Sequence, residues 1–157
     1  MKIPAALFAA ALLSACQTPH QFAMPDRSWR SQIGQLKYSD AQRTLIGDVV
    51  VQQRGPQDFQ LEFQKAGGIP LLTLREDATT ARAEGLFARG SWQGAPASAP
   101  AHLRNWVALR TALFFPRTTN EQLTLKAIGI IVSGDGRPSA SIRFPADGQQ
   151  FVFQFNR

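Results

Sequence analysis

Two stretches of this chain leave little freedom in how they fold. Phe59, Leu61 and Phe63 alternate with Gln60, Glu62 and Gln64, and Phe151, Phe153 and Phe155 alternate with Val152 and Gln154. Successive side chains on a strand point to opposite faces, so each stretch reads as a strand with one strongly apolar face. A face that aromatic must be covered by another layer, which makes a sheet carrying something on one side the simplest expectation.

The remainder of the chain supplies both. Leu45 to Gln53 is rich in β-branched residues and is expected to pair with Phe59 to Gln64 across the turn Arg54-Gly55-Pro56-Gln57-Asp58. Leu71, Leu72 and Leu74 continue into a strand, Thr79 to Gly85 reads as the next, and Leu86 to Trp92 either extends it or turns back. Leu123 to Val132 is apolar, with an alternation that slips at Gly129 and suggests a bulge there. Gly134-Asp135-Gly136 marks a turn, and Ala140, Ile142 and Phe144 lead through Asp147-Gly148 into the last strand. Leu103, Trp106, Val107, Arg110 and Leu113 fit helical spacing after Pro100 and before Phe115-Pro116. Trp29, Ile33 and Leu36 fall four and three apart, which predicts a short helix from Ser28 to Tyr38. The expected fold is therefore mainly β within the α+β class: an antiparallel sheet of about seven strands with one long helix and one short N-terminal helix packed on it.

The N-terminus has a different character. Met1-Lys2 precedes an apolar run from Ile3 to Leu13, too short to span a bilayer but of signal-peptide length. The run ends at Leu13-Ser14-Ala15-Cys16, which holds the only cysteine in the chain and resembles the lipobox of bacterial lipoproteins. That resemblance implies cleavage before Cys16, acylation of its sulfur and its new amine, and anchorage to a membrane by lipid alone. It also implies the outer membrane, because Gln17 stands where an Asp would retain a lipoprotein at the inner one. The expected organisation is a signal peptide over 1–15, a lipidated tether over 16–25 and a single domain over 26–157.

Removing residues 1–15 of 157 leaves 142, enough for one domain with its own core. The mature part keeps 16 Lys and Arg against 11 Asp and Glu. These cations lie singly along the chain, which argues against nucleic acid and suits an anionic membrane surface or acidic partner. One cysteine, committed to lipid, leaves no disulfide within the domain.

The pattern further resembles the LolA/LolB half-barrel family, in particular LolB-like outer-membrane lipoproteins. The features that carry it are the lipobox, the strand, Gly/Pro loop and Leu-rich strand from Phe59 to Leu74, the helix opening Leu103-Arg104-Asn105-Trp106, and the closing hairpin Pro138 to Phe155. The chain is short for LolB. The resemblance implies a curved, open half-barrel whose apolar cavity takes the acyl chains of lipoproteins or lipids, delivered by a periplasmic carrier protein. It assigns the handover loop to Ile69, Pro70 and Leu71. The cavity candidates are Phe59, Leu61, Phe63, Leu103, Trp106, Val107, Phe151, Phe153 and Phe155. Arg104 and Arg110 are the candidates for holding the helix as a lid. A monomer anchored through acylated Cys16, without cofactor or metal, is expected.

Each assignment has a plainer counterpart. Ile69-Pro70-Leu71 is also compatible with a turn whose apolar residues fold back inward, and the Phe stripe and Trp106 with a filled core. Arg104 and Arg110 equally suit surface positions with buried stems. His20 and His102 have no cysteine or clustered carboxylate beside them, and no nucleophile, zinc, phosphate-loop or dinucleotide motif occurs, so an enzyme is not expected. A lipid-anchored interaction subunit of an envelope assembly, with a filled core, is the other reading.

Overall fold

A computed structural model describes residues 19–114, 131–133 and 139–156. Among them a meander of six strands runs β1 (Arg30–Ser39), β2 (Thr44–Arg54), β3 (Asp58–Lys65), β4 (Ile69–Glu76), β5 (Ala81–Gly85) and β6 (Gly90–Gly94). Helix α1 (Ala101–Phe114) follows, and then β7 (Ile131–Ser133), β8 (Ser139–Phe144) and β9 (Gln149–Phe155). All belong to one antiparallel sheet in the order β6-β5-β4-β3-β2-β1-β9-β8-β7. The fold is mainly β with one helix, as expected, but the count of strands exceeds seven. The slip at Gly129 and the turn at Gly134 lie outside the described residues.

The expected N-terminal helix is instead β1. Gly34, Leu36 and Tyr38 face inward, whereas Ile33, the residue that completed the helical spacing, is 55 % exposed. The physical reason is position. β1 is hydrogen-bonded along both edges, to β2 from Arg30↔Gln53 to Ser39↔Thr44 and to β9 from Gly34↔Phe155 to Ser39↔Gln150. A helix of three turns is marginal without packing, and two ladders outweigh it. Gly34 is required here: a Cβ on it would lie 2.0 Å from the Gln154 carbonyl oxygen.

Gly47 on β2 makes a similar close approach, 2.1 Å to the Gln64 carbonyl, beside a register shift between Phe63 and Gln64. The sheet bends around such points, and the apolar face is concave. Tyr38 on β1 and Phe87 beyond β5 are four strands apart, about 19 Å along a flat sheet. Their ring centroids are nevertheless 5.1 Å apart.

Helix α1 covers this concave face. Trp106 reaches Tyr38, Phe63, Phe87 and Phe151 at centroid distances of 4.8–5.9 Å. Leu103, Val107 and Leu109 are buried with it. Asn105, also buried, donates to Asp147 Oδ2 at 2.7 Å and Gln149 Oε1 at 2.9 Å, tying the helix to the β8–β9 turn. That turn is where Asp147-Gly148 predicted it, with Gly148 at φ 62°.

The two readings of residues 28–38 predict opposite mutational outcomes. For the observed strand, Gly34→Val loses about 3 kcal/mol by prising β9 from β1, while Ile33→Ser changes stability by less than about 0.5 kcal/mol in urea titrations. A helix would reverse that order.

Candidate functional site

Antiparallel order gathers four turns at one end of the sheet: Asp40–Arg43, Ala66–Gly68, Leu86–Arg89 and Pro145–Gly148. At the other end are Gly55–Gln57 and Asp77–Thr80. The two ends carry different chemistry.

The first end holds the loop singled out in the sequence. Gly67 and Gly68 take φ of 92° and 79°, a tight reversal that side chains would strain, and Gly68 N–H donates to Lys65 O. Ile69 emerges 58 % exposed and Pro70 is exposed beside it. Leu71 turns inward and is buried. The triplet thus divides, two side chains out and one in. A neighbouring feature escaped the sequence reading: Leu86, 64 % exposed, on the β5–β6 turn at the same end. Its signal was an apolar pair, Leu86-Phe87, bracketed by Gly85 and Gly90.

Between these turns lies a recess of about 390 Å³, bordered by Tyr38, Asp40, Arg43, Phe87, Arg89, His102 and Gln149. Asp40 organises one wall. Its carboxylate accepts from Gln42 N and Arg43 N at 2.9 Å and from Tyr38 Oη at 2.8 Å, with Arg43 Nε at 3.4 Å. Burial pushes its pKa up, but these hydrogen bonds outweigh it and hold the carboxyl below its usual range. Burial, together with the Asp40 carboxylate, raises the Tyr38 phenol above its usual value and keeps it protonated. The Arg43 guanidinium lies 4.7 Å over the Phe87 ring.

Beneath the recess is the aromatic interior. All nine cavity candidates, Phe59, Leu61, Phe63, Leu103, Trp106, Val107, Phe151, Phe153 and Phe155, are buried. Phe63 and Phe151 both pack against the Trp106 ring, so this part of the interior is filled in the described conformation.

The two arginine candidates separate. Arg104 is exposed, with no ion-pair partner among the described residues. Arg110 holds the far end of α1: its Nη1 donates to Asp77 O at 2.6 Å and Gln57 O at 3.2 Å. Its Nε lies 3.3 Å from Glu76 Oε2, close enough for an ion pair but not aligned as a hydrogen bond. Glu76, on β4, is buried, and burial pushes its carboxyl up to about 8 while Arg110 pulls the other way. Sequence alternation gave no warning of it, because a carboxylate beside Arg75 and Asp77 reads as solvated.

At this same far end His20 bonds to the Asp77 carboxylate, so residues 19–22 are docked against the β4–β5 turn. Among the described residues no helix is long and apolar enough to cross a membrane. Compared with known proteins, the sequence matches no family model and no curated sequence significantly.

Glu76 sets a pH dependence with a definite sign. Its folded pKa of about 8 exceeds the ordinary glutamate value of 4.5, so the folded state binds more protons between these limits. Stability therefore falls as pH rises from about 5 to about 8. Glu76→Gln flattens that decline in thermal melts taken across the same range.

Proposed function

We propose that this chain is a lipid-anchored envelope protein of the LolA/LolB half-barrel type, attached to the outer membrane through acylated Cys16. Its open end engages the acyl chains of lipoproteins or lipids. The observation that carries the reading is the exposure of two large apolar side chains, Ile69 and Leu86, at the open end of a concave sheet with an aromatic inward face. The covering helix Leu103-Arg104-Asn105-Trp106 and the closing hairpin support the same reading.

The tether adds a direction. Four residue steps lead from Cys16 to docked His20, a reach of at most about 14 Å. Strand β3, eight residues long, spans about 26 Å from that end to the end bearing Ile69. With His20 docked, the open end faces away from the anchoring bilayer and toward cargo arriving through the periplasm. Ile69 then meets the cargo or its carrier first, and Phe87 and Trp106 must part for a chain to enter. Uptake thus includes a movement of the β5–β6 turn or of α1.

The filled ring cluster around Trp106 favours a second reading: an anchored interaction subunit that binds a protein partner and no lipid. The two separate in one assay. The full acylated chain in vesicles is offered a fluorescent, uncharged diacylglycerol from donor micelles. Acyl handling predicts saturable acceleration over protein-free vesicles, reduced about tenfold or more by Ile69→Glu with an unchanged melting temperature. No acceleration by the wild type, with a stable partner recovered in detergent, would establish the second reading instead.

A further inference from the structure

We infer that the recess at the open end binds a phosphate, and that this phosphate is the headgroup of an anionic lipid. The site assembles from three separate parts of the chain: Arg43 from the β1–β2 turn, Arg89 from the β5–β6 turn and His102 from the first turn of α1. At about 390 Å³ the recess is within the size range of small-molecule sites.

Three observations point to an anion. First, the recess's only carboxylate among the described residues is already engaged. Asp40 accepts hydrogen bonds from its own turn and from Tyr38, and is ion-paired with Arg43 alone. Arg89 has no carboxylate partner among the described residues, so the recess keeps a surplus of positive charge. Second, His102 Nε2 is buried and has no hydrogen-bond partner among the described residues, although its ring borders the recess. A buried ring nitrogen without a partner is unfavourable, and a ligand oxygen would satisfy a protonated Nε2 once the ring turns toward the recess. Third, Arg89 adopts φ 55°, the one positive φ at a residue other than glycine among the described residues. That region disfavours a side chain with a Cβ by about 1 kcal/mol or more. A glycine would fit without strain, so what the arginine contributes is its guanidinium at the rim. The N-terminal turn of α1, which carries no acidic residue, adds positive potential in the same direction.

The lipid source follows from what adjoins the recess. Leu86 and Phe87 border it together with the charged groups, so apolar and cationic surfaces meet at one opening. An amphiphile with a phosphate between polar head and acyl chains matches that arrangement, whereas the uncharged glyceride of an acylated cysteine would leave the arginines unused. The headgroup assignment rests on the acyl-binding reading above; the phosphate site itself does not.

The test uses the full acylated chain in maltoside micelles, which contain no phosphate. His102 ring signals are followed by NMR during titration with dihexanoyl phosphatidylglycerol, uncharged dihexanoylglycerol or inorganic phosphate. The expected result is saturable binding of the phosphatidylglycerol at least about tenfold tighter than either other probe. Arg43→Gln and Arg89→Gly should each weaken it by about tenfold, the loss of one charge-assisted hydrogen bond. Arg89→Gly also relieves the strained φ, so its melting temperature stays level or rises and lost binding cannot be attributed to misfolding. Phosphatidylglycerol binding that ignores both substitutions, or uncharged glyceride binding with no anion moving His102, would overturn the site and leave acyl handling intact. Inorganic phosphate binding as tightly as the lipid, with the same arginine dependence, would overturn the headgroup assignment. Phosphatidylglycerol binding no tighter than inorganic phosphate, together with no uptake of the uncharged glyceride, would instead overturn the acyl reading on which that assignment rests.

Discussion

Trp106 is where the parts of this domain become one body. Its indole contacts Tyr38 from the first strand, Phe63 from the meander, Phe151 from the closing strand and Phe87 from the turn after β5. These groups come from opposite halves of a wide sheet, and they can share one ring only because the sheet is concave. Burying an aromatic side chain of this size removes about 150–250 Å² from water, with further gain from the ring contacts. With one cysteine in the chain, apolar burial of this kind does the work that cross-links do in many small secreted domains.

The concavity has a backbone origin. Gly34 and Gly47 let adjacent strands approach where a Cβ would collide with a carbonyl. The paired β1 and β9 place the first and last described strands side by side in the sheet, so the chain between them closes into a loop of structure. The helix is then held at both ends by polar contacts, Asn105 to the β8–β9 turn and Arg110 to the Asp77 and Gln57 carbonyls. Between those attachments its hold on the sheet is apolar and non-directional, which is the kind of contact that can slide or lift. The buried Glu76 beside Arg110 keeps one attachment less than fully satisfied.

The proposed role separates the domain into an anchored end and a working end. His20 docks the tether against the β4–β5 turn, while Ile69, Leu86 and the arginine-bordered recess occupy the opposite turns. Exposed apolar side chains and cations together favour an amphiphile over a purely apolar or purely ionic partner. The strain at Arg89 and the buried, unpartnered nitrogen of His102 are local departures from ideal structure at that same end.

Much of the architecture was legible from periodicity. Alternation placed β3, β8 and β9 on the right faces, helical spacing identified α1, and Gly67-Gly68 marked a reversal before Ile69 while leaving open whether that side chain points out or in. These features are local: a period of two or of 3.6, or a φ that only glycine takes easily, is expressed within a few residues. The failures came where long-range partners decided. Trp29, Ile33 and Leu36 satisfy a helix as well as Gly34, Leu36 and Tyr38 satisfy a strand, and only the neighbouring edges of β2 and β9 settle the choice. Likewise the burial of Glu76 was not foreseen, His102 was weighed only as a metal ligand, and Arg43 and Arg89 went unremarked, because burial and convergence belong to turns distant in sequence. The sequence by itself determined which faces are apolar and where the chain must reverse. Only the tertiary structure decided how the sheet curves and which charged groups meet at its open end, since those follow from pairings and packing that no single segment encodes.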